Sequence, residues 1–152
     1  MRAPEDLTPW PGNARTHSTK QVEKLKTSIN TFGFTNPILT DENGVVLSGH
    51  GRLEAAKALK LPKIPTRVIA GLTEARKRAY VIADNKLAEE STWDKKALKN
   101  ELEILINEDF SVELTGFETR EIDPMFDAPV EPEPGDPDDK LPDSLIPSFT
   151  GL

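Results

Sequence analysis

The sequence contains no cysteine among its 152 residues. Disulfides, thiolate metal sites and a cysteine nucleophile are therefore excluded, and a cytoplasmic protein is the expectation. No apolar run approaches the length that spans a bilayer, and no basic-then-apolar leader opens the chain, so no membrane partner is expected. Histidine is limited to His17 and His50, and no dense carboxylate or histidine cluster of the kind that two-metal hydrolysis needs is visible. No internal repeat is present. Basic residues are scarce in one region only: residues 101–152 hold 2 Lys and Arg against 15 Asp and Glu, whereas residues 1–100 hold 17 against 11. The net charge of −7 thus combines a basic body with an acidic tail. A basic body is compatible with nucleotide or nucleic-acid partners, and equally with an ordinary solvated surface.

With 36% hydrophobic and 30% charged residues, the chain is long enough for one domain with a core, plus a tail. The stretch that organises the rest runs from Val45 to Leu61. Val45-Val46-Leu47 has strand character, Ser48-Gly49-His50-Gly51 is a turn, and Leu53, Ala56 and Leu59 then recur at helical spacing. Two glycines let the backbone approach a ligand closely, and the free N–H groups of a helix start, with Arg52 beside them, suit a phosphate. A tight turn followed by a solvated arginine accounts for the same residues.

Upstream, Met1 to Thr16 contains three prolines and reads as an extended segment, with Trp10 packing it onto the body. Ser18 followed by Gln21 is a capping-box pattern, and Val22, Leu25, Ile29 and Phe32 share a helical face that Gly33 terminates. Asn36 to Thr40 and Val45 to Leu47 flank an Asn43-Gly44 pair, a strong hairpin signal. Ile64 to Ile69 predicts another strand. Thr73 predicts the cap of a helix from Glu74 to about Leu87, with Ala75, Ala79, Ile82 and Leu87 as its apolar stripe. One more helix follows Asp94, burying Leu98, Leu102 and Leu105. From Pro124 onward seven prolines and a cluster of acids predict a disordered linker or tail, in which Leu141, Leu145, Ile146 and Phe149 could form a docking motif.

Asp84 is an anomaly, since a carboxylate near the C-terminal end of the predicted helix opposes the helix dipole at a cost of roughly 0.3–1 kcal/mol. Two readings account for it: an ion pair beside a capping Asn85, or a pair of oxygen ligands, Asp84 and Asn85, for a Mg²⁺ that also holds nucleotide phosphates. His17 and His50 read as structural or solvent-exposed histidines, with a metal pair or a phosphoryl acceptor and base as the alternative.

Asn13-Ala14-Arg15, Asn36-Pro37-Ile38-Leu39, Gly49-His50-Gly51-Arg52 with Ala55-Ala56, Ile64-Pro65 and Asp84-Asn85 follow one another in an order that resembles the ParB/sulfiredoxin-like superfamily, specifically the ParB-type N-terminal domain. The similarity covers about Leu7 to Leu87. It implies a compact α/β (α+β) domain, a small mixed sheet flanked by helices. It also implies nucleotide binding, because ParB domains bind and slowly hydrolyse CTP, sulfiredoxin uses ATP, and a related branch phosphorylates free serine. By this resemblance Arg15, Gly49, His50, Gly51 and Arg52 contact the nucleotide, and Asp84 and Asn85 hold Mg²⁺. The chain departs from the family pattern where His50-Gly51 replaces Glu-Arg and where Asp84 replaces Glu. Sulfiredoxin chemistry is excluded, since His50 stands where its cysteine would be.

The segments WPGNARTH, SGHGRLEAA and ADNKLAEESTWD are similar to ParB-like domains of phages and mobile elements that accompany a DNA methyltransferase. The expected organisation is a ParB-like domain over 1–123, with its core over about 7–90 and a following helix over about 94–107, then an acidic Pro-rich tail over 124–152. The expected function is binding of CTP or ATP with Mg²⁺ in DNA transactions, linked to modification or partition machinery. Slow nucleoside triphosphate hydrolysis and homodimerisation stay open. Rival readings are a phosphotransferase or nuclease of the same fold, and an interaction module of a methyltransferase with a degenerate pocket. Sequence-specific DNA reading is not expected from a chain with only one predicted helix after Leu87; DNA contact is expected to be weak, through the basic body, or to run through a partner.

Overall fold

The structure is a computed structural model and describes residues 1–13 and 15–127. Ala14 and the tail from residue 128, including the Leu141 to Phe149 motif, lie outside the described residues. The N-terminal segment is extended apart from a 3-10 turn at Pro4–Asp6, and backbone bonds tie it down at two places. Arg2 and Ile64 exchange N–H···O bonds of 2.9 and 2.8 Å, and Thr8 donates to Gly44 O at 3.0 Å while accepting from Val46 N–H at 2.8 Å.

Helix α1, Thr19–Phe32, starts where the Ser18 hydroxyl accepts the Gln21 N–H at 3.1 Å and stops at Gly33, whose φ of +85° an L side chain rarely adopts. Its apolar face is only half covered: Val22, Leu25 and Ile29 are half-buried, and Phe32, expected to be inside, is 54% exposed. The hairpin forms where Asn43-Gly44 predicts it. Strand β1, Ile38–Thr40, pairs antiparallel with β2, Val46–Ser48, and one Asp41 carboxylate oxygen closes the turn by accepting N–H bonds from Asn43 and Val45, both at 2.9 Å. Strand β3, Thr66–Val68, pairs parallel with β1, which gives the order β2-β1-β3.

Because successive strand residues face opposite ways, β2 divides the core in two. Val46 joins Leu7, Ile38 and Ile64 on the face covered by helix α2, His50–Ala58, where Leu53 and Ala56 complete the cluster. Leu47 joins Trp10 and Val81 on the other face, covered by helix α3, Glu74–Glu90. Each fully buried side chain of this kind contributes roughly 1.5–3 kcal/mol of transfer free energy.

Helix α3 begins as expected, with the Thr73 hydroxyl accepting the Arg76 N–H at 3.2 Å, but it is rotated away from the expected stripe. Ala75, Ala79, Ile82 and Leu87 are all exposed, and the buried residues are Val81 and Lys77. The reason is electrostatic. Lys77 Nζ donates at 3.0 Å to the second Asp41 oxygen, and both side chains are almost wholly buried. Burial opposes ionisation of Asp41, yet the bonds from Val45, Lys77 and Asn43 outweigh it and hold the carboxyl below its usual 3.8; the bond to Asp41 outweighs burial and lifts Lys77 above its usual 10.5.

Helix α4, Lys95–Asn107, is capped by Asp94 and buries Leu102, with Leu98 and Leu105 half-covered, the expected face. A further 3-10 turn, Val112–Thr115, rests on α1, and Glu118 pairs with Lys20 and Lys24. These residues complete a first compact unit, Met1–Glu118. The described part of the second unit is helix α5, Thr119–Asp127, which contains Pro124. One helix after α3 was expected, and this chain has α4, the 3-10 turn and α5. Among the described residues no helix is long and apolar enough to cross a membrane.

Candidate functional site

Strand β2 delivers the chain into Gly49, which takes the left-handed conformation, φ +103°, so that α2 can start at once. A Cβ at this position would lie 2.9 Å from Arg52 Nη2 and 3.1 Å from the buried Ile38 side chain, so the turn requires glycine on two counts. Gly51 is required for a different reason. It sits in the first turn of α2, buried, and a Cβ there would come within 2.9 Å of Leu25 and 3.0 Å of His17. It therefore allows α1 to approach α2, and is a packing glycine rather than a close-approach position for a ligand.

The residues to which the resemblance assigned nucleotide and Mg²⁺ contacts meet here. Arg15, Gly49, His50, Gly51, Arg52, Asp84 and Asn85 all line one cavity of about 200 Å³. Helix α3 supplies the acid. Asp84 is two turns from the end of a helix that continues to Glu90, so the expected placement near the C-terminus is corrected, and the dipole does not explain this residue. It is held instead by Ser48, whose hydroxyl donates to Asp84 Oδ2 at 2.8 Å across the gap between β2 and α3. Ser48 was not anticipated. The only sequence signal for it was its place immediately before the glycine turn. Nor is Asn85 a helix cap: its Nδ2 donates to Val81 O at 2.9 Å, which leaves its side-chain oxygen as the free end.

Arg52 is the cation that α2 brings to the cavity. Its Nη2 donates to Pro37 O at 3.3 Å, while its Nε is buried and has no partner among the described residues. Burial lowers its pKa from the ordinary guanidinium value against the opposing pull of the Asp84 charge. A buried N–H with no acceptor costs roughly 1–3 kcal/mol. Arg15 reaches from the N-terminal segment, with Nη1 3.4 Å from Asn85 O and 3.9 Å from Glu89 Oε1. His17 bonds Gln21 through Nδ1 at 3.1 Å, so the Gln21 side chain serves the histidine instead of returning to the helix cap. His50 accepts the Trp10 backbone N–H on Nε2 at 3.0 Å.

Arg15 and Asn85 also line a second, wider cavity of about 560 Å³, with Trp10, Gly12, Arg78 and Lys86 on its other sides. There the Arg78 guanidinium lies over the Trp10 ring, 5.6 Å from its centroid. As for metal ligands, no group of three or more His, Cys, Asp and Glu that could hold an ion occurs among the described residues. The Asp84 carboxylate and the Asn85 side-chain oxygen suit a Mg²⁺ that completes its shell with water and phosphate, and they do not suit a cation held by protein alone.

The model of the ParB N-terminal domain family matches residues 3–86, more than half of the chain. The chain belongs to the ParB N-terminal domain family. A second family model, the ParB-methyltransferase HTH domain, matches residues 96–151. The chain is 50% identical over 74 residues to the ParB-like nuclease domain-containing protein YnaK of Escherichia coli, a match covering 49% of this chain and 85% of that protein. It is 35% identical over 60 residues to an uncharacterized protein of Acidianus two-tailed virus, covering 39% of this chain and 18% of the viral one. Among solved structures, the C-terminally truncated chromosome-partitioning protein ParB from Caulobacter crescentus, complexed with CTP-γ-S, superposes with a TM-score of 0.70 at 17% identity, over 97% of this chain and 84% of that one. At that identity the likeness establishes the fold. The ParB-type α/β architecture is thus shared.

Proposed function

We propose that this ParB-family domain binds a nucleoside triphosphate together with Mg²⁺ and acts in DNA transactions. The observation that carries the reading is the pair of guanidinium groups, Arg52 and Arg15, that line one cavity with Gly49 and the first turn of α2. An anion with several oxygens is the ligand that two guanidinium groups and a helix start have in common. The cavity of about 200 Å³ takes the phosphates, and the adjoining one of about 560 Å³ takes the nucleoside. Asp84, oriented by Ser48, and Asn85 stand on α3, where they would hold the Mg²⁺; the ion would neutralise phosphate charge there. CTP is the first nucleotide to try, because the Caulobacter protein of the same fold was crystallised with CTP-γ-S, and ATP is the second.

The DNA half of the proposal rests on residues 96–151, whose match to a ParB-methyltransferase HTH domain favours DNA contact and a methyltransferase partner. The helices α4 and α5 supply helical elements in that stretch, which supports DNA contact by this chain beside contact through a partner. Equilibrium titration with CTP and with ATP, each with Mg²⁺ and with EDTA, tests the nucleotide half. Saturable binding of one nucleotide that weakens in EDTA is expected. A folded protein that binds neither contradicts the proposal and favours an interaction module with a degenerate pocket. Turnover of radiolabelled nucleotide then separates a binding domain from a slow triphosphatase.

A further inference from the structure

His50 has a feature that phosphate binding by Arg52 and Arg15 leaves unused. It is the first residue of α2, and its Nε2 accepts the Trp10 backbone N–H at 3.0 Å. A ring nitrogen that accepts carries no proton, so the imidazole is neutral and its one proton sits on Nδ1. Its surroundings agree with that state. Burial, reinforced by His17, lowers its pKa from 6.5 against the pull of Asp84. The ring lines the same cavity as Gly49 and Arg52, and Nδ1 has no acceptor among the described residues.

The other end of this bond is just as informative. Trp10 is buried against Leu47 and Val81, and its carbonyl accepts the Asn13 N–H at 3.1 Å, which makes the turn leading to Arg15. The Asn13 side chain then holds the Arg15 backbone from both sides, Nδ2 to O at 3.2 Å and Oδ1 to N–H at 3.4 Å. One imidazole therefore joins the glycine turn to the segment that carries Arg15.

We infer that His50 is a two-ended positioning residue of the phosphate site: Nδ1–H donates to a phosphate oxygen while Nε2 holds the Trp10 N–H, so that filling the cavity and seating the Trp10 to Arg15 segment reinforce each other. The inference rests on the phosphate-binding reading proposed above. The chemistry is that of a hydrogen-bond chain. Donation through Nδ1 to an anion makes Nε2 a better acceptor, so each bond strengthens the other. A lysine or arginine at this position supplies charge but no acceptor, and would lose the bond to Trp10. Histidine does both.

The test uses inorganic triphosphate with Mg²⁺ as the probe, on the wild type, Arg52→Ala and two His50 variants. Nitrogen-15 NMR of the wild type is expected to show His50 neutral and protonated on Nδ1. His50→Met fills similar space with no hydrogen-bond donor, and is expected to weaken binding about three- to tenfold, the effect of one neutral hydrogen bond. In the wild type, triphosphate is expected to slow hydrogen exchange of the Trp10 amide, and in His50→Ala that slowing is expected to vanish while the fold, followed by circular dichroism, persists. A ring protonated on Nε2 overturns the inference. So does triphosphate affinity in His50→Met equal to wild type, or Trp10 protection unchanged by ligand. If the wild type does not bind triphosphate, both the phosphate reading and this inference fall; if wild type binds, Arg52→Ala loses binding and His50→Met does not, only the inference falls.

Discussion

Helices α2 and α3 both line the candidate site, and different forces seat them. Helix α2 lies on the sheet by apolar burial, with Leu53, Ala55 and Ala56 at 0–1% exposure. Helix α3 buries a lysine on the opposite face of the sheet, through the Lys77–Asp41 pair, and leaves Ala75, Ala79, Ile82 and Leu87 outside. Each then presents a charged residue to the cavity, Arg52 from α2 and Asp84 from α3. Apolar burial fixes which side of a helix faces in. A buried ion pair fixes rotation more narrowly, because it has one partner atom at one distance, and it is this rotation that brings Asp84 to Ser48.

The same substitution on the two helices exposes the contrast most strongly. Leu53→Ala opens a cavity in a well-packed cluster and is expected to cost about 2–5 kcal/mol of folding stability, whereas Leu87→Ala, at a side chain 65% exposed, is expected to stay within about 0.5 kcal/mol. Chemical denaturation of both variants measures this; equal losses would mean that α3 is rotated as its apolar stripe suggests.

Lys77→Met is expected to destabilise far more than Leu87→Ala and about as much as Leu53→Ala, because it leaves the Asp41 carboxylate buried without its cation. Removing both charges, with Lys77→Met and Asp41→Leu together, is expected to restore the fold only in part, since Asp41 also closes the hairpin turn. Acid gives an independent reading. A carboxyl that ionises more readily in the folded protein than in the unfolded chain stabilises the fold above its usual 3.8 and surrenders that stabilisation as the pH falls through its folded value. Lys77, raised above 10.5, contributes throughout the range below that value and loses its contribution only on the alkaline side. Melting temperature is therefore expected to be insensitive to this pair between about pH 5 and 9 and to fall below about pH 4, with a weaker acid dependence in Asp41→Asn.

Much of this was legible because local chemistry decided it. The Ser18, Thr73 and Asp94 caps, the Asn43-Gly44 hairpin and the Gly33 stop are each set by residues within a few positions of one another. The face of α4 was legible because apolar residues alone bury it. The rotation of α3 was not, since its determinant, Asp41, lies 36 residues away and looks like a turn acid. Asp84 was picked out for a reason that the full length of α3 removes, although the residue does line the cavity with the others. Gly51 reads identically in sequence whether a ligand or a neighbouring helix needs the space, and Leu25 and His17 decide for the helix. The elements after α4 were hidden by their shortness, by Gly116 and Pro124, and by an acidic composition.

Asp84→Asn separates the fold from the site with a smaller effect. The Ser48 hydroxyl donates to an amide oxygen as it does to a carboxylate, so the melting temperature is expected to change little, while nucleotide affinity in Mg²⁺ falls about tenfold and affinity in EDTA does not. A large drop in melting temperature with unchanged affinity would make Asp84 a structural residue.

The central claim, that the cavity at the start of α2 is a phosphate site, is tested most directly by titrating the wild type and Arg52→Ala with Mg²⁺-CTP by isothermal calorimetry. Loss of a charge-assisted bond to phosphate is expected to weaken binding about ten- to a hundredfold in a variant whose circular dichroism matches the wild type. A folded Arg52→Ala that binds the nucleotide as tightly as the wild type contradicts the account.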